Sequence, residues 1–385
     1  MVNKDITFIY FDDVQKQVYE QIAEEAKKRG YVTRITDDKF AKCEIGWYCE
    51  HVNFPQFSKF SVVMLHDITQ QYGNWPNIWY REPWDKYDIG FLPSKVWIDN
   101  WTKSSQYYYS RPRHGIYLTG WPKADRLSLY MEKGKKESYI KEIGLDPDKP
   151  TILYAPAWEN DNKQDEFVKA MQKLDVNILI KQAPWGPTYV QQIENIRMMR
   201  ELHEGIPGVF QLDPKTSILD AIMVSDILVS EESSTMCEAV MMGKPAISVC
   251  NWLIPETTPS RYPSDDYDYV IKTKKEELTE CVQEVLDNYE KYQKDAVTYS
   301  DEHFSNIGNC IPMMFDVLDS VIEGKEVKVP ALTPAKKVHL SLPHWIKHNY
   351  IRFSREKAYN YCERIPFWIG LRKIFRKIKS IFKKK

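Results

Sequence analysis

Between residues 151 and 250 short apolar runs alternate with helical segments, and few folds accept that order. The runs lie at 151–155, 177–181, 208–212, 226–230 and 246–250, and the spacing predicts helices at about 163–174, about 187–203, 216–224 and 234–242. Ile178-Leu179-Ile180 and Ile227-Leu228-Val229 show no polar alternation, as strands buried on both faces require. Such repetition predicts an α/β fold with a parallel sheet covered by helices on both sides.

The amino-terminal part opens in the same way. Ile6–Phe11 is apolar and rich in strand formers, Val14–Lys28 has helical spacing, and Gly30 stands where a helix C-cap belongs. Tyr31–Ile35 reads as a second strand, and Ser61–Leu65 as another that ends at His66. This opening lacks the Gly-rich fingerprint that would demand a dinucleotide. Residues 72–110 are crowded with aromatics, including Trp75, Trp79, Trp84, Trp97 and Trp101. They are either core packing or an acceptor groove or membrane-facing surface.

A chain of 385 residues suits two cores better than one. Asp146-Pro147-Asp148-Lys149-Pro150 marks the break, so the expected units are 1–148, 149–329 and a linker and tail at 330–385. Lys275–Tyr299 reads as one more helix and Pro330–Pro343 as a linker. Seven cysteines without CxxC spacing fit a reducing compartment and argue against a disulfide framework or a zinc site. No apolar run reaches the length of a membrane span, and the first residues lack the pattern of a signal peptide.

Charge is sharply divided. Residues 336–385 hold 15 Lys or Arg and two acids, whereas the other 335 residues hold 38 basic and 52 acidic side chains. Within the tail, Trp368, Ile369, Leu371, Ile374, Phe375, Ile378, Ile381 and Phe382 recur at helical spacing, with Arg and Lys between them. A basic amphipathic helix over 368–385 is expected to lie on an anionic membrane surface. Its continuous apolar stripe argues against a nucleic-acid arm, so no nucleic-acid partner is expected.

The segment Val229–Pro245, VSEESSTMCEAVMMGKP, carries the densest chemistry. A strand, a polar turn and a helix N-terminus form an anion site, because free N–H groups and the positive end of the helix dipole converge there. Ser233, Ser234 and Thr235 can add hydroxyl donors, and Glu238, one helical turn on, can accept from a ribose. The alternative is an ordinary helix capped by Ser233 or Ser234. Lys181 ends an apolar strand and reaches either a donor phosphate or solvent. His66 ends a strand whose carboxyl end should face a cleft, and can act as a general base or hold a structural hydrogen bond. Asp67 beside it can orient the imidazole. Neither a metal nor a cofactor is expected.

The Val229–Pro245 segment resembles the donor-site signature of the CDP-glycerol glycerophosphotransferases, with Glu231 at the position of an aspartate and Ser233, Ser234, Glu238, Ala239 and Gly243-Lys244-Pro245 matching. Thr119-Gly120-Trp121-Pro122-Lys123-Ala124-Asp125 resembles the family's Gly-x-Pro-Arg-x-Asp element, with Lys123 in place of Arg. Ile152–Trp158 and Ile178–Lys181 resemble two of its strands, and the four pieces fall in family order over roughly residues 60–325.

The resemblance implies a GT-B-like fold of two Rossmann-like domains, with residues near 303–323 crossing back to the first. It implies donor binding at Lys181, Glu231, Ser233, Ser234, Thr235 and Glu238, an acceptor or positioning role for Gly120, Lys123 and Asp125, and activation of the acceptor hydroxyl by His66. The donor implied is a CDP-alditol and the acceptor a lipid-linked glycan or polymer, with the enzyme cytoplasmic and peripheral on the inner face of the membrane. A histidine that the family carries two residues after the basic strand end is Ala183 here, and His114 and His203 are candidates to replace it. A related motif serves UDP-sugar enzymes of the GT-B fold, so a glycosyltransferase, an epimerase or a non-catalytic nucleotide binder are the competing readings.

Overall fold

Two six-stranded sheets, each wholly parallel, organise the chain. The computed structural model describes residues 2–11, 13–49, 53–65, 68, 79, 82–130, 135–159, 162–187, 189–252 and 268–352, with 365, 367, 370 and 374. Of 351 and 352 only the backbone is described. The first sheet contains β1 (Asp5–Ile9), β2 (Val32–Thr36), β3 (Cys43–Cys49), β4 (Ser58–Met64), β5 (Ile89–Leu92) and β6 (Ile116–Leu118), in the order β2-β1-β3-β4-β5-β6. The second contains β7 (Thr151–Tyr154), β8 (Asn177–Ile180), β9 (Val209–Gln211), β10 (Ile227–Ser230), β11 (Ala246–Val249) and β12 (Ile271–Thr273), in the order β12-β11-β10-β7-β8-β9.

The described helices are α1 (Asp13–Lys28), α2 (Lys95–Ser104), α3 (Leu127–Tyr130), α4 (Lys135–Glu142), α5 (Lys163–Met171), α6 (Val190–Leu202), α7 (Ile218–Val224), α8 (Thr235–Met241), α9 (Leu278–Asp287), α10 (Tyr289–His303), α11 (Cys310–Ile322) and α12 (Leu342–Arg352). In α1 the apolar residues recur every three to four positions, and Val18, Tyr19, Ile22, Ala23 and Ala26 are buried on the first sheet. The expected single helix over 275–299 is two. It breaks at Asn288, whose amide side chain bonds back to the Glu284 carbonyl and competes with the helical ladder. The described tryptophans of 72–110 are packing: Trp79, Trp84, Trp97 and Trp101 are all buried in one cluster, while Tyr108 is exposed and Trp75 lies outside the described residues.

The chain returns to its first half through α11. Ile311, Met314, Phe315, Val317 and Leu318 join the core formed by Phe8, Val18, Ile22 and Trp47. A short 3-10 turn, Pro122–Arg126, receives the start of this helix. The Asp125 carboxylate accepts from the backbone N–H of Cys310 and of Ile311, both at 2.7 Å, and so satisfies two of the orphan donors at the helix start. Gly120 makes the approach possible. It has φ +93, and a Cβ there would stand 2.4 Å from the Ser305 carbonyl oxygen and 2.6 Å from the Cys310 sulfur.

Residues 330–343 are not a free linker. Ala331 bridges Tyr117 beside β6, the Leu332 N–H donates to the Ile116 carbonyl at 2.8 Å, and Arg111 donates to the Ala335 carbonyl. The strand edge left open by β6 captures this segment, which then leads into α12. Among the described residues no helix is long and apolar enough to cross a membrane.

The Gly120→Ala substitution is expected to destabilise the protein by about 2 kcal/mol or more, from backbone strain and the clash with Ser305. Asp125→Ala should cost about 1–2 kcal/mol through loss of the helix cap. Urea unfolding midpoints check both; a Gly120→Ala variant as stable as the parent would contradict this packing.

Candidate active site

In the second sheet the strand order reverses where β7 lies beside β10. The carboxyl ends of those strands form a topological switch point, the crevice where open α/β sheets usually bind their ligands. The loop after β7 carries Ala155–Glu159, and the turn after β10 carries Glu231–Ser234.

Glu231 ties these loops together. Its Oε1 accepts from the N–H groups of Ala157 and Trp158, each at 3.0 Å, and lies 3.3 Å from the Lys163 ammonium; Ser230 donates to Oε2 at 3.1 Å. The side chain is fully buried, so the structure turns it inward to shape the crevice. Buried carboxylate and ammonium satisfy one another, and removal of either leaves the other as an uncompensated buried charge.

The turn itself behaves partly as expected. Helix α8 begins at Thr235, and Ser234 makes no side-chain cap bond. Ser233 takes that role, its Oγ accepting from the Thr235 N–H at 3.3 Å, with the Thr235 hydroxyl 3.0 Å away. At the other end Gly243 has φ +66, and the Lys244 N–H closes onto the Ala239 carbonyl at 2.9 Å. The Lys244 ammonium is drawn inside, bonding the carbonyls of Met223 and Ser225 at the end of α7, and burial pushes its pKa down to about 8.

Three charged groups meet beside the turn. Glu238, on α8, is 2% exposed. Its Oε1 lies 3.3 Å from the Lys123 ammonium, which comes from the other half of the molecule and also sits 4.8 Å over the Trp121 ring. Its Oε2 is buried with no hydrogen-bond partner among the described residues. Lys181, at the end of β8, is buried, and its ammonium donates to the Gln182 and Pro214 carbonyls at 2.9 and 2.8 Å. Burial lowers its pKa to about 8, Asp213 and Glu238 pull it upward, and Lys123 pushes it down further. An ammonium has three N–H groups, so one remains after those two bonds among the described residues.

The structure thus brings Lys123, Lys181, Ser233, Ser234, Thr235 and Glu238 to one region. It puts Gly120 and Asp125 in the same segment as Lys123 but uses them to seat α11. His66 and Asp67 lie outside the described residues; Leu65, just before them, is buried at the carboxyl end of β4. Neither candidate to replace the family histidine bonds to the Lys181 turn. His114 stacks on Phe60 ahead of β6. His203 is buried, with Nδ1 3.0 Å from the Gln164 amide nitrogen and Nε2 3.3 Å from Asp165.

Several groups at the crevice escaped the sequence reading. Trp158 and Trp185 stack at 4.4 Å, and Tyr189 sits 4.7 Å from Trp185. Below them Glu159 accepts from Tyr154 and Gln182, both at 2.8 Å, with its carboxyl pKa raised by burial. The signal for Trp158 and Trp185 was position: each follows the end of an expected strand by a few residues.

Comparison with known proteins places this geometry. Among curated proteins none matches the chain in sequence. Of solved structures, the wall teichoic acid polymerase TagF, in a variant soaked with CDPG, is similar over 83% of this chain and 89% of its own, with TM-score 0.57 and 16% identity. A UDP-GlcNAc 2-epimerase from Neisseria meningitidis bound to UDP-GlcNAc is similar over 83% of this chain and 99% of its own, with TM-score 0.57 and 12% identity. These likenesses show a GT-B-like fold. The family model of CDP-glycerol:poly(glycerophosphate) glycerophosphotransferase matches residues 80–305, which take in β5 and β6 of the first sheet, all of the second and every charged group of the crevice. The chain belongs to that family and is a CDP-glycerol glycerophosphotransferase-like enzyme.

Proposed function

We propose that the enzyme moves a glycerol-phosphate or ribitol-phosphate unit from a CDP-alditol to a lipid-linked glycan or polymer acceptor and releases CMP. Residues 1–148 form the acceptor side in this reading and 149–329 the donor side, with residues 368–385 holding the enzyme on the inner face of the membrane during wall or capsule polymer synthesis. The observation that carries it is the half-satisfied Glu238: a buried carboxylate oxygen without a donor among the described residues, next to a turn of hydroxyls and two ammonium groups. An unpaired buried acceptor is costly, and the two hydroxyls of a ribose would remove that cost.

The acceptor hydroxyl, losing its proton to His66, attacks the β-phosphorus of the donor. The new bond joins acceptor oxygen to phosphorus, the bond from phosphorus to the bridging oxygen breaks, and CMP leaves with that oxygen. Lys181, Lys123 and the Ser233–Thr235 turn stabilise the charge that grows on the leaving phosphate. Such transfer depends on positioning and electrostatics, so the chain supplies few covalent actors. The family match favours this reading over a UDP-sugar enzyme, whose support was the motif it shares with the wider fold.

The test is nucleotide release with liposomes carrying lipid-linked acceptor, offered CDP-glycerol, CDP-ribitol and UDP-sugars in parallel. CMP release that requires acceptor is expected, with kcat lower by about 100-fold or more in His66→Ala. UDP release, or no turnover with either CDP-alditol, would overturn the proposal.

Lys181 also sets a pH dependence. Its ammonium form is lost as pH rises through about 8. The KM for the donor should therefore rise by about tenfold between pH 7 and pH 9, and Lys181→Arg, which stays charged, should flatten that rise. Initial-rate measurements across this range check it.

A further inference from the structure

Helix α12 has two faces of different chemistry. The inner face carries His344 and His348, which lie against three consecutive tyrosines of the amino-terminal half. His348 stacks on Tyr109 at 4.3 Å and meets Tyr108 edge-on at 5.6 Å. His344 meets Tyr107 at 4.6 Å, and its Nε2 is 3.3 Å from the Tyr109 hydroxyl. The captured segment ahead of the helix adds backbone anchors: the Ala335 N–H donates to Ser105 at 2.8 Å and the Val338 N–H to the Gln106 carbonyl at 3.0 Å. The helix is therefore fixed to the body.

Its outer face is apolar and open. Leu342 is 69% exposed, Trp345 50%, Ile346 54% and Tyr350 73%. These positions follow the i, i+3, i+4, i+8 spacing of one helical stripe. Single exposed apolar side chains are ordinary, but four large ones in a row mark an interaction surface.

We propose that this outer face is a second membrane-docking surface, which seats the amino-terminal half on an anionic lipid bilayer in a fixed orientation. The inference rests on the membrane reading of residues 368–385 and goes beyond it, since a tail alone would tether the enzyme without orienting it. Charge selects the occupant. From residue 327 to 355 there is no Asp or Glu, whereas Lys328, Lys336, Lys337, Lys347, Arg352 and Arg355 are all basic. Two copies of so one-sided a surface would repel, while anionic headgroups attract it. Trp and Tyr suit the headgroup boundary, where an apolar ring and a polar edge are both accommodated. Fifteen residues, 353–367, separate the end of α12 from the start of the basic amphipathic stretch at Trp368, so both elements can meet one surface.

The test is co-sedimentation of the full chain with vesicles of phosphatidylglycerol and phosphatidylcholine, with pure phosphatidylcholine as the uncharged reference. Two variants alter the face separately: Trp345→Ser with Ile346→Ser, and Leu342→Ser with Tyr350→Ser. A third carries Arg372→Gln, Lys373→Gln, Arg376→Gln and Lys377→Gln in the tail. All the changed side chains of the face are exposed, and unchanged thermal melting confirms the fold. Each face variant is expected to partition on the order of tenfold more weakly onto the anionic vesicles, with the tail intact. Face variants that bind like the parent while the tail variant is released would overturn the proposal and leave the tail reading standing. A parent chain that ignores anionic vesicles would overturn both. Light scattering that shows a parent dimer and monomeric face variants, with vesicle binding unchanged, would assign the face to a second copy and also overturn it.

Discussion

The turn Pro122–Arg126 holds the two halves of this enzyme in register. Asp125 seats the first turn of α11, the helix through which the chain returns from the second sheet to the first. Lys123, two residues earlier, reaches across to Glu238 on α8. The turn is itself fixed to α1, where Gln21 donates to the Pro122 carbonyl at 2.8 Å and Arg126 pairs with Glu24. One short segment thus decides how the chain crosses back and which cation stands over the crevice. A lysine that bridges the halves brings charge from the first into a site built by the second.

The crevice collects buried carboxylates, and their partners sort them. Glu231 is saturated by two amides, a hydroxyl and Lys163, and Glu159 by Tyr154, Gln182 and the Gln164 amide. These two set the shape of the loops. Glu238 is different, with one oxygen shared with Lys123 and the other unmet among the described residues. Buried polar groups without partners are rare because desolvation is not recovered, so such a group beside a phosphate-suited turn points to a ligand.

Much of the second half was legible because parallel strands buried on both faces leave continuous apolar runs, and each of β7–β11 falls within its expected run. The return of residues 303–323 to the first half appears as α11. The first half was harder. β3, β5 and β6 went unnamed, since Trp47, Tyr48 and Phe91 belong to an aromatic-rich stretch that periodicity cannot divide, and β12 has only three residues. The resemblance points Glu231 toward the donor, but whether an acid after a strand faces ligand or loop depends on an amide 74 residues away, which no local pattern reports. The capture of residues 331–338 was hidden for the same reason, as it depends on an open edge at β6.

The central claim is that Glu238 receives the donor ribose. It is tested most directly by calorimetric binding of CMP and of its 2′,3′-dideoxy analogue to the parent and to Glu238→Gln. The account predicts that loss of the diol weakens binding to the parent by about tenfold or more, and that most of this difference disappears in Glu238→Gln. An analogue that binds the parent as tightly as CMP, or a penalty that survives the substitution in full, would contradict it.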